Sequence, residues 1–183
     1  IVVTTSGDET ICLDDQLTIS ASASGGDAPY TYQWDNGLGA GQSHVVSPDV
    51  TTTYSVTVTD DEGCEAYGQL TITVTELEDP VVTTVCNNNG TPSDPSDDFY
   101  TYTILVNGTN TGASYSVSGD DTQSGLAYGV VNGPFGPFPI SGGDLNLTIT
   151  DSGDPACTQS AVASAPATCS DLCLLNTPVV LVN

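Results

Sequence analysis

The chain is built on two-residue alternation: β-branched and aromatic side chains recur at every second position, interrupted roughly every 8 to 12 residues by Gly, Pro, Asn or Asp. No segment carries a helical period. A period of two places one set of side chains on one face of an extended strand, so the expected fold is all-β. In the first half, Leu17, Ile19, Ala21 and Ala23 share a face, as do Tyr30, Tyr32 and Trp34, then Tyr54, Val56 and Val58, then Leu70, Ile72 and Val74. Four such faces can close a sandwich core. The breaks between them, Gly25-Gly26-Asp27, Asn36-Gly37 and Asp61-Glu62-Gly63, are rich in residues that tolerate positive φ.

The second half alternates through Tyr100, Tyr102, Ile104 and Val106 and again through Leu145, Leu147 and Ile149. Between them, Gly133-Pro134-Phe135-Gly136-Pro137-Phe138-Pro139 cannot form a central strand, because proline lacks a ladder donor. An edge strand or a packed loop plugged by Phe135 and Phe138 is expected. Val2-Val3-Thr4-Thr5 recurs as Val81-Val82-Thr83-Thr84, with a looser echo at Pro178-Val179-Val180-Leu181-Val182. Each copy stands where a first strand belongs. The organisation expected is therefore a sandwich over 1–78, a second over 79–170, and a linker with the opening strand of a following repeat over 171–183. Residues 179–182 should pair outside the second sandwich.

Charge narrows the function. There are 23 Asp plus Glu, one His and no Lys or Arg, a net charge of −23. Nucleic-acid binding needs Lys or Arg to displace counterions, and anionic membrane surfaces would repel this chain. Phosphoryl transfer, carboxylate clamping and Schiff-base chemistry need the same missing cations. Six Cys without a His cluster read as disulfides in an oxidising, extracellular setting. No apolar run approaches the length of a membrane span, so membrane insertion is not expected. The start at Ile1, without a charged or apolar leader, is expected of a processed protein or a piece of a longer one.

The stretch Ala28-Pro29-Tyr30-Thr31-Tyr32-Gln33-Trp34-Asp35-Asn36-Gly37, followed by Ser47-Pro48, by Thr51-Thr52-Thr53-Tyr54-Ser55-Val56-Thr57-Val58-Thr59-Asp60 and by Gly63-Cys64, resembles PKD-like immunoglobulin-type repeats. It looks most like those of very large surface proteins of Bacteroidota exported by type IX secretion. The resemblance covers most of residues 8 to 75 and departs from the usual Gly-Asp-Gly turn after the Trp, where this chain reads Asp35-Asn36-Gly37-Leu38-Gly39. The second half looks like a companion repeat. The resemblance implies tandem immunoglobulin-like sandwiches and a Cys12–Cys64 bridge, with Trp34 packed over it as core. Among the three pairings open to the other four cysteines, Cys86–Cys157 and Cys169–Cys173 are favoured.

One loop stands out chemically. Asn87-Asn88-Asn89-Gly90-Thr91-Pro92-Ser93-Asp94-Pro95-Ser96-Asp97-Asp98 offers closely spaced oxygen ligands for calcium, with Asp94, Asp97 and Asp98 as carboxylates and Asn87 and Asn89 assisting. Asp151 and Asp154, before Cys157, are candidates to converge on the same end. A solvated acidic turn is the plainer reading. His44 lies in a stretch that reads as a strand entry, away from any Ser or Cys nucleophile pattern, and the acidic residues sit at turns rather than facing across a cleft. Enzymatic activity is not expected. The sequons at Asn89, Asn107 and Asn146 are taken as chance in a chain of bacterial resemblance. The expected function is a structural or adhesive module of a secreted surface or filament protein, partnered by neighbouring repeats or subunits and by cell-surface or glycan targets. The alternative is a carbohydrate-binding or accessory module of a secreted hydrolase, which a row of exposed aromatics would favour.

Overall fold

The computed structural model describes residues 1–90, 95–167 and 169. They form two compact units: Ile1–Glu76 with Thr109–Thr111, and Leu77–Gly108 with the described residues from Gly112 on. Unit 1 contains β1 (Val2–Thr5), β2 (Glu9–Cys12), β3 (Leu17–Ser24), β4 (Thr31–Trp34), β5 (Gly39–Ala40), β6 (Ser43–Val46), β7 (Thr52–Thr59) and β8 (Glu65–Leu77, of which Leu77 counts with unit 2). One sheet runs β1-β3-β6; the other runs β8-β7-β4-β5, with β2 added to β8 in parallel. The opening strand is therefore split between the two sheets, as in immunoglobulin-like sandwiches. The alternating faces meet between the sheets: Ile19, Ala21 and Val46 from one, and Trp34, Tyr54, Val56, Val58, Leu70, Ile72 and Val74 from the other, are buried together.

Unit 2 contains β9 (Val81–Asn87), β10 (Phe99–Leu105), β11 (Gly108–Thr109, of which Thr109 counts with unit 1), β12 (Tyr115–Gly119), β13 (Gln123–Leu126), β14 (Asn132–Pro139), β15 (Leu145–Asp151) and β16 (Thr158–Ala163). Its sheets run β9-β10-β14 and β16-β15-β12-β13. Apart from β2, which has no counterpart among the described strands of unit 2, this repeats the order of unit 1, and both Val-Val-Thr-Thr segments are opening strands, β1 paired antiparallel with β3 and β9 with β10. Tyr100, Tyr102, Ile104, Val106, Tyr115, Val117, Leu147 and Ile149 form the second core. The fold is all-β, two immunoglobulin-like sandwiches. Residues 179–182, and with them the expected strand of a following repeat, lie outside the described residues.

The Gly-Pro-Phe stretch is an edge strand, β14, with a register of its own. Phe138 faces Tyr100, Phe135 faces Tyr102 and Asn132 faces Ile104, so three residues of β14 answer two of β10 at each step. The tripeptide repeat is thus a run of bulges that returns every third side chain to the core. Phe135 packs 5.3 Å from the Tyr102 ring and Phe138 lies 5.9 Å from both Tyr100 and Tyr102. Gly133 and Gly136 take φ of 109° and 119°, and a Cβ there would stand 2.9 Å from Tyr102 O and 3.0 Å from Tyr100 O.

The expected disulfides are corrected. Cys64 is free and exposed, and the strand directions show why it cannot meet Cys12. Cys12 stands opposite Thr75 near the end of β8, whereas Cys64 precedes its first residue, Glu65. Ten residues of strand span about 33 Å, against a Cα separation of about 7 Å at most in a disulfide. Trp34 is core as expected, but its ring meets His44 edge-on at 6.4 Å and its Nε1–H donates to Gly41 O at 3.0 Å, with no Cys12–Cys64 bridge beneath it. Cys86 bonds Cys169 rather than Cys157. Cys157 lies at the start of β16, near the start of β9, since Gln159 Nε2 donates to Leu77 O. Cys86 is at the other end of β9, opposite Tyr100, where the Cys169 amide reaches Asp98 and its Sγ lies against Phe99 O. The same bond excludes Cys169–Cys173; Cys173 itself lies outside the described residues. Cys12 and Cys157 are also disulfide-bonded.

Candidate functional site

The acidic loop leaves β9 at Asn87 and enters β10 through a short 3-10 turn, Pro95–Asp97. Asn residues start it because their side chains cap the backbone locally: Asn87 Oδ1 accepts from the Asn89 amide at 2.8 Å and Asn88 Oδ1 from the Gly90 amide at 3.1 Å. Asn89, at φ 49°, turns its Nδ2 to Asp97 Oδ2 at 3.3 Å. The structure thus gathers Asn87, Asn89 and Asp97. Asp98 points elsewhere. It is 6% exposed, its Oδ2 accepts from the Cys169 amide at 3.3 Å, and its Oδ1 is buried without a hydrogen-bond partner. Asp94 lies outside the described residues.

Asp151 and Asp154 do not join this set. Asp151, 2% exposed, fastens the turn between β15 and β16. Its Oδ2 accepts from the amides of Gly153 (2.7 Å) and Asp154 (2.8 Å), and its Oδ1 from the Gly112 amide (2.8 Å) and the Tyr128 hydroxyl. Burial pushes its pKa up, and these bonds together overcome burial and hold it below the ordinary carboxylate value. The same contact, after burial, raises the Tyr128 pKa. Asp154 caps locally, Oδ1 to the Ala156 amide at 3.1 Å. In unit 1, Asp60 plays the matching part, Oδ1 accepting from the Cys64 amide at 2.8 Å.

Two fasteners escaped sequence reasoning. Tyr102 donates to Asp121 Oδ2 at 2.7 Å, a bond that with burial raises the tyrosine pKa. Asp121 is pushed up by burial but held low by Tyr102, Gln123 and the Thr122 amide. Within unit 1, Asn110 Nδ2 donates to Val74 O (2.8 Å) and Thr51 Oγ1 (3.1 Å), while its carbonyl accepts from Thr75 Oγ1 (3.1 Å). An Asp before a Cys, four residues ahead in one half and six in the other, could have signalled the Asp60 and Asp151 turns; no comparable pattern marks the Tyr102–Asp121 and Asn110 bonds. His44 sits on β6 opposite Ile19, facing Trp34.

Comparison with known proteins adds one local match. Residues 18–39 match the SprB repeat. They run from β3 through the β4–β5 turn, the centre of the first sandwich. Among solved structures, a similar chain is described as "Structures of Clostridium thermocellum CbhA fibronectin(III)-like modules", at 12% identity and a TM-score of 0.40, covering 90% of this chain and 94% of that one. No curated protein matches. The SprB match and the repeated strand order support an immunoglobulin-like repeat. With the disulfides, they suggest a module of a surface protein and an extracellular or cell-surface location.

Proposed function

We propose that this chain is a structural and adhesive repeat module of a large secreted surface or filament-forming protein, PKD-like in its first unit and exported by the type IX pathway of Bacteroidota. One observation carries the reading: two units repeat the same strand order, each around its own core. Modules that bury their own cores lengthen a protein by addition, without redesign of any one of them. Its partners are neighbouring repeats or subunits of the same protein, and cell-surface or glycan targets. The reading includes calcium at the acidic loop, where Asn87, Asn89 and Asp97 cluster and offer oxygen ligands to a hard cation. The sugar-binding alternative gains nothing from the surface. Among the described residues Tyr67, 71% exposed, is a lone large exposed ring rather than one of a row.

The test is made on intact cells of the source. Antibody raised against unit 1 should label their surface without permeabilisation, and deletion of the segment encoding both units should weaken attachment. Labelling confined to permeabilised cells, or attachment unchanged by the deletion, refutes the proposal.

A further inference from the structure

The two units end their penultimate strands in the same words. Val56-Thr57-Val58-Thr59-Asp60 leads through a turn to Cys64, and Leu147-Thr148-Ile149-Thr150-Asp151 leads through a turn to Cys157. Each Cys stands immediately before the last strand of its sheet, β8 or β16. The backbone equates them as well: the Asp60 amide donates to Cys64 O at 3.0 Å and the Asp151 amide to Cys157 O at 3.1 Å. In both turns the Asp carboxylate accepts the turn's own amides. Yet the chemical states differ. Cys157 is disulfide-bonded, whereas Cys64 is a free, exposed thiol.

We infer that Cys64 is a covalent attachment point, forming a disulfide with a cysteine of a different immunoglobulin-like module outside these 183 residues. Three observations bear on it. The corresponding cysteine of unit 2 is oxidised. The chain also carries the Cys86–Cys169 bond, so its setting oxidises thiols, and an exposed unpaired thiol there is a site for intermolecular pairing. Finally, the only other cysteine of unit 1, Cys12, is already bonded, so no partner is left inside the unit.

The chemistry is two exchanges with a disulfide oxidant, a small-molecule or protein disulfide of the oxidising compartment. The Cys64 thiolate attacks one sulfur of the oxidant, its S–S bond breaks, and one oxidant thiolate leaves. The partner's thiolate then attacks Sγ of Cys64 in the mixed disulfide and expels the second oxidant thiolate. Both protein thiols lose their protons and together two electrons; the oxidant ends as two thiols.

The inference deepens the proposed function and rests on its extracellular setting, and the experiment separates the two. Native protein is taken from cells in acid, alkylated with N-ethylmaleimide under denaturing, non-reducing conditions, digested and mapped by mass spectrometry. The expected result is a Cys64 peptide linked to a cysteine peptide from outside residues 1–183, lost in Cys64→Ser while the Cys86–Cys169 link persists. Cys64 carrying the alkylating label, or linked to Cys173 or any other cysteine of the chain, overturns the inference. If Cys86 and Cys169 are then still bonded, the extracellular reading stands without it; if every cysteine carries label, both fall.

Discussion

Replacing Asp151 by Asn exchanges one oxygen for an NH2 group and should remove a sizeable part of the stability of unit 2. The carboxylate receives four donors, two on each oxygen, at 2% exposure. An amide keeps one oxygen, so one pair of donors is retained and the other faces an NH2 group. With the NH2 group on the Gly112 side, the Tyr128 hydroxyl can turn to accept from it, so the Gly112 amide is the one donor left without an acceptor. At about 1–3 kcal/mol for a group left unpaired, the loss is about 1–3 kcal/mol. That is a sizeable share of the roughly 5–15 kcal/mol of a folded domain, and at roughly 4–8 °C per kcal/mol it lowers the melting temperature by about 4 °C or more. The pH dependence has a definite sign. The folded pKa of Asp151 lies below its unfolded value, so the unfolded chain binds the proton more readily. The carboxylate's contribution is complete above about pH 4, the ordinary Asp value, and is lost as pH falls through the folded pKa. The gap between wild type and Asp151→Asn should therefore narrow in acid. Thermal unfolding of the whole chain is the assay, with hydrogen exchange in peptides from β12 and β15 localising the effect and Trp34 fluorescence serving as the unit 1 control. A loss under about 1 kcal/mol at pH 7, or a gap that does not narrow between pH 7 and pH 2, refutes the account of the turn.

Two further perturbations test other parts of the fold. Gly136→Ala places a Cβ 3.0 Å from Tyr100 O at a φ of 119° and should cost about 1–3 kcal/mol, read by urea unfolding; an unchanged midpoint would mean that β14 can relax its bulges. Chelation by EDTA should lower the melting temperature of unit 2 and calcium, but not sodium at equal ionic strength, should restore it; curves that ignore the chelator remove calcium from the acidic loop.

The cores were legible because alternation is a local code. Tyr100, Tyr102, Ile104 and Val106 are buried in the order their spacing predicts, as are Tyr54, Val56 and Val58. What was not legible depends on direction and register between distant strands. Six cysteines signal oxidation but not partners. The pairing hangs on β2 adding to β8 in parallel, which carries Cys12 to the far end of β8 from Cys64, and a list of strands does not contain that fact. Gly-Pro-Phe repeated twice reads as an interruption until it is laid against β10, where a period of three meets a period of two. The acidic residues were misleading for a related reason. Asp97 in its loop and Asp151 in its turn look alike in composition, and only the converging amides of Gly112, Gly153 and Asp154 make the second a structural fastener.

Those amides also show how a chain without Lys or Arg manages its charge. Asp8 accepts from the Thr71 amide, Asp35 from that of Ser55, Asp60 from that of Cys64, Asp120 from that of Asn146 and Asp144 from that of Ala165. Backbone N–H groups stand where Lys or Arg would in an ordinary surface. This division of labour predicts an unusual salt response. Screening weakens long-range terms between exposed charges, and here with no Lys or Arg those terms are almost all repulsive. Short carboxylate–amide bonds, several of them at buried or half-buried turns, are screened far less. Raising NaCl from about 0.01 M to about 1 M shortens the screening length from about 30 Å to about 3 Å, so the melting temperature at pH 7 should rise steadily, with no initial fall of the kind that loss of surface ion pairs produces. A melting temperature that drops on the first addition of NaCl would mean that attractive charge pairs, absent from the composition, hold the fold.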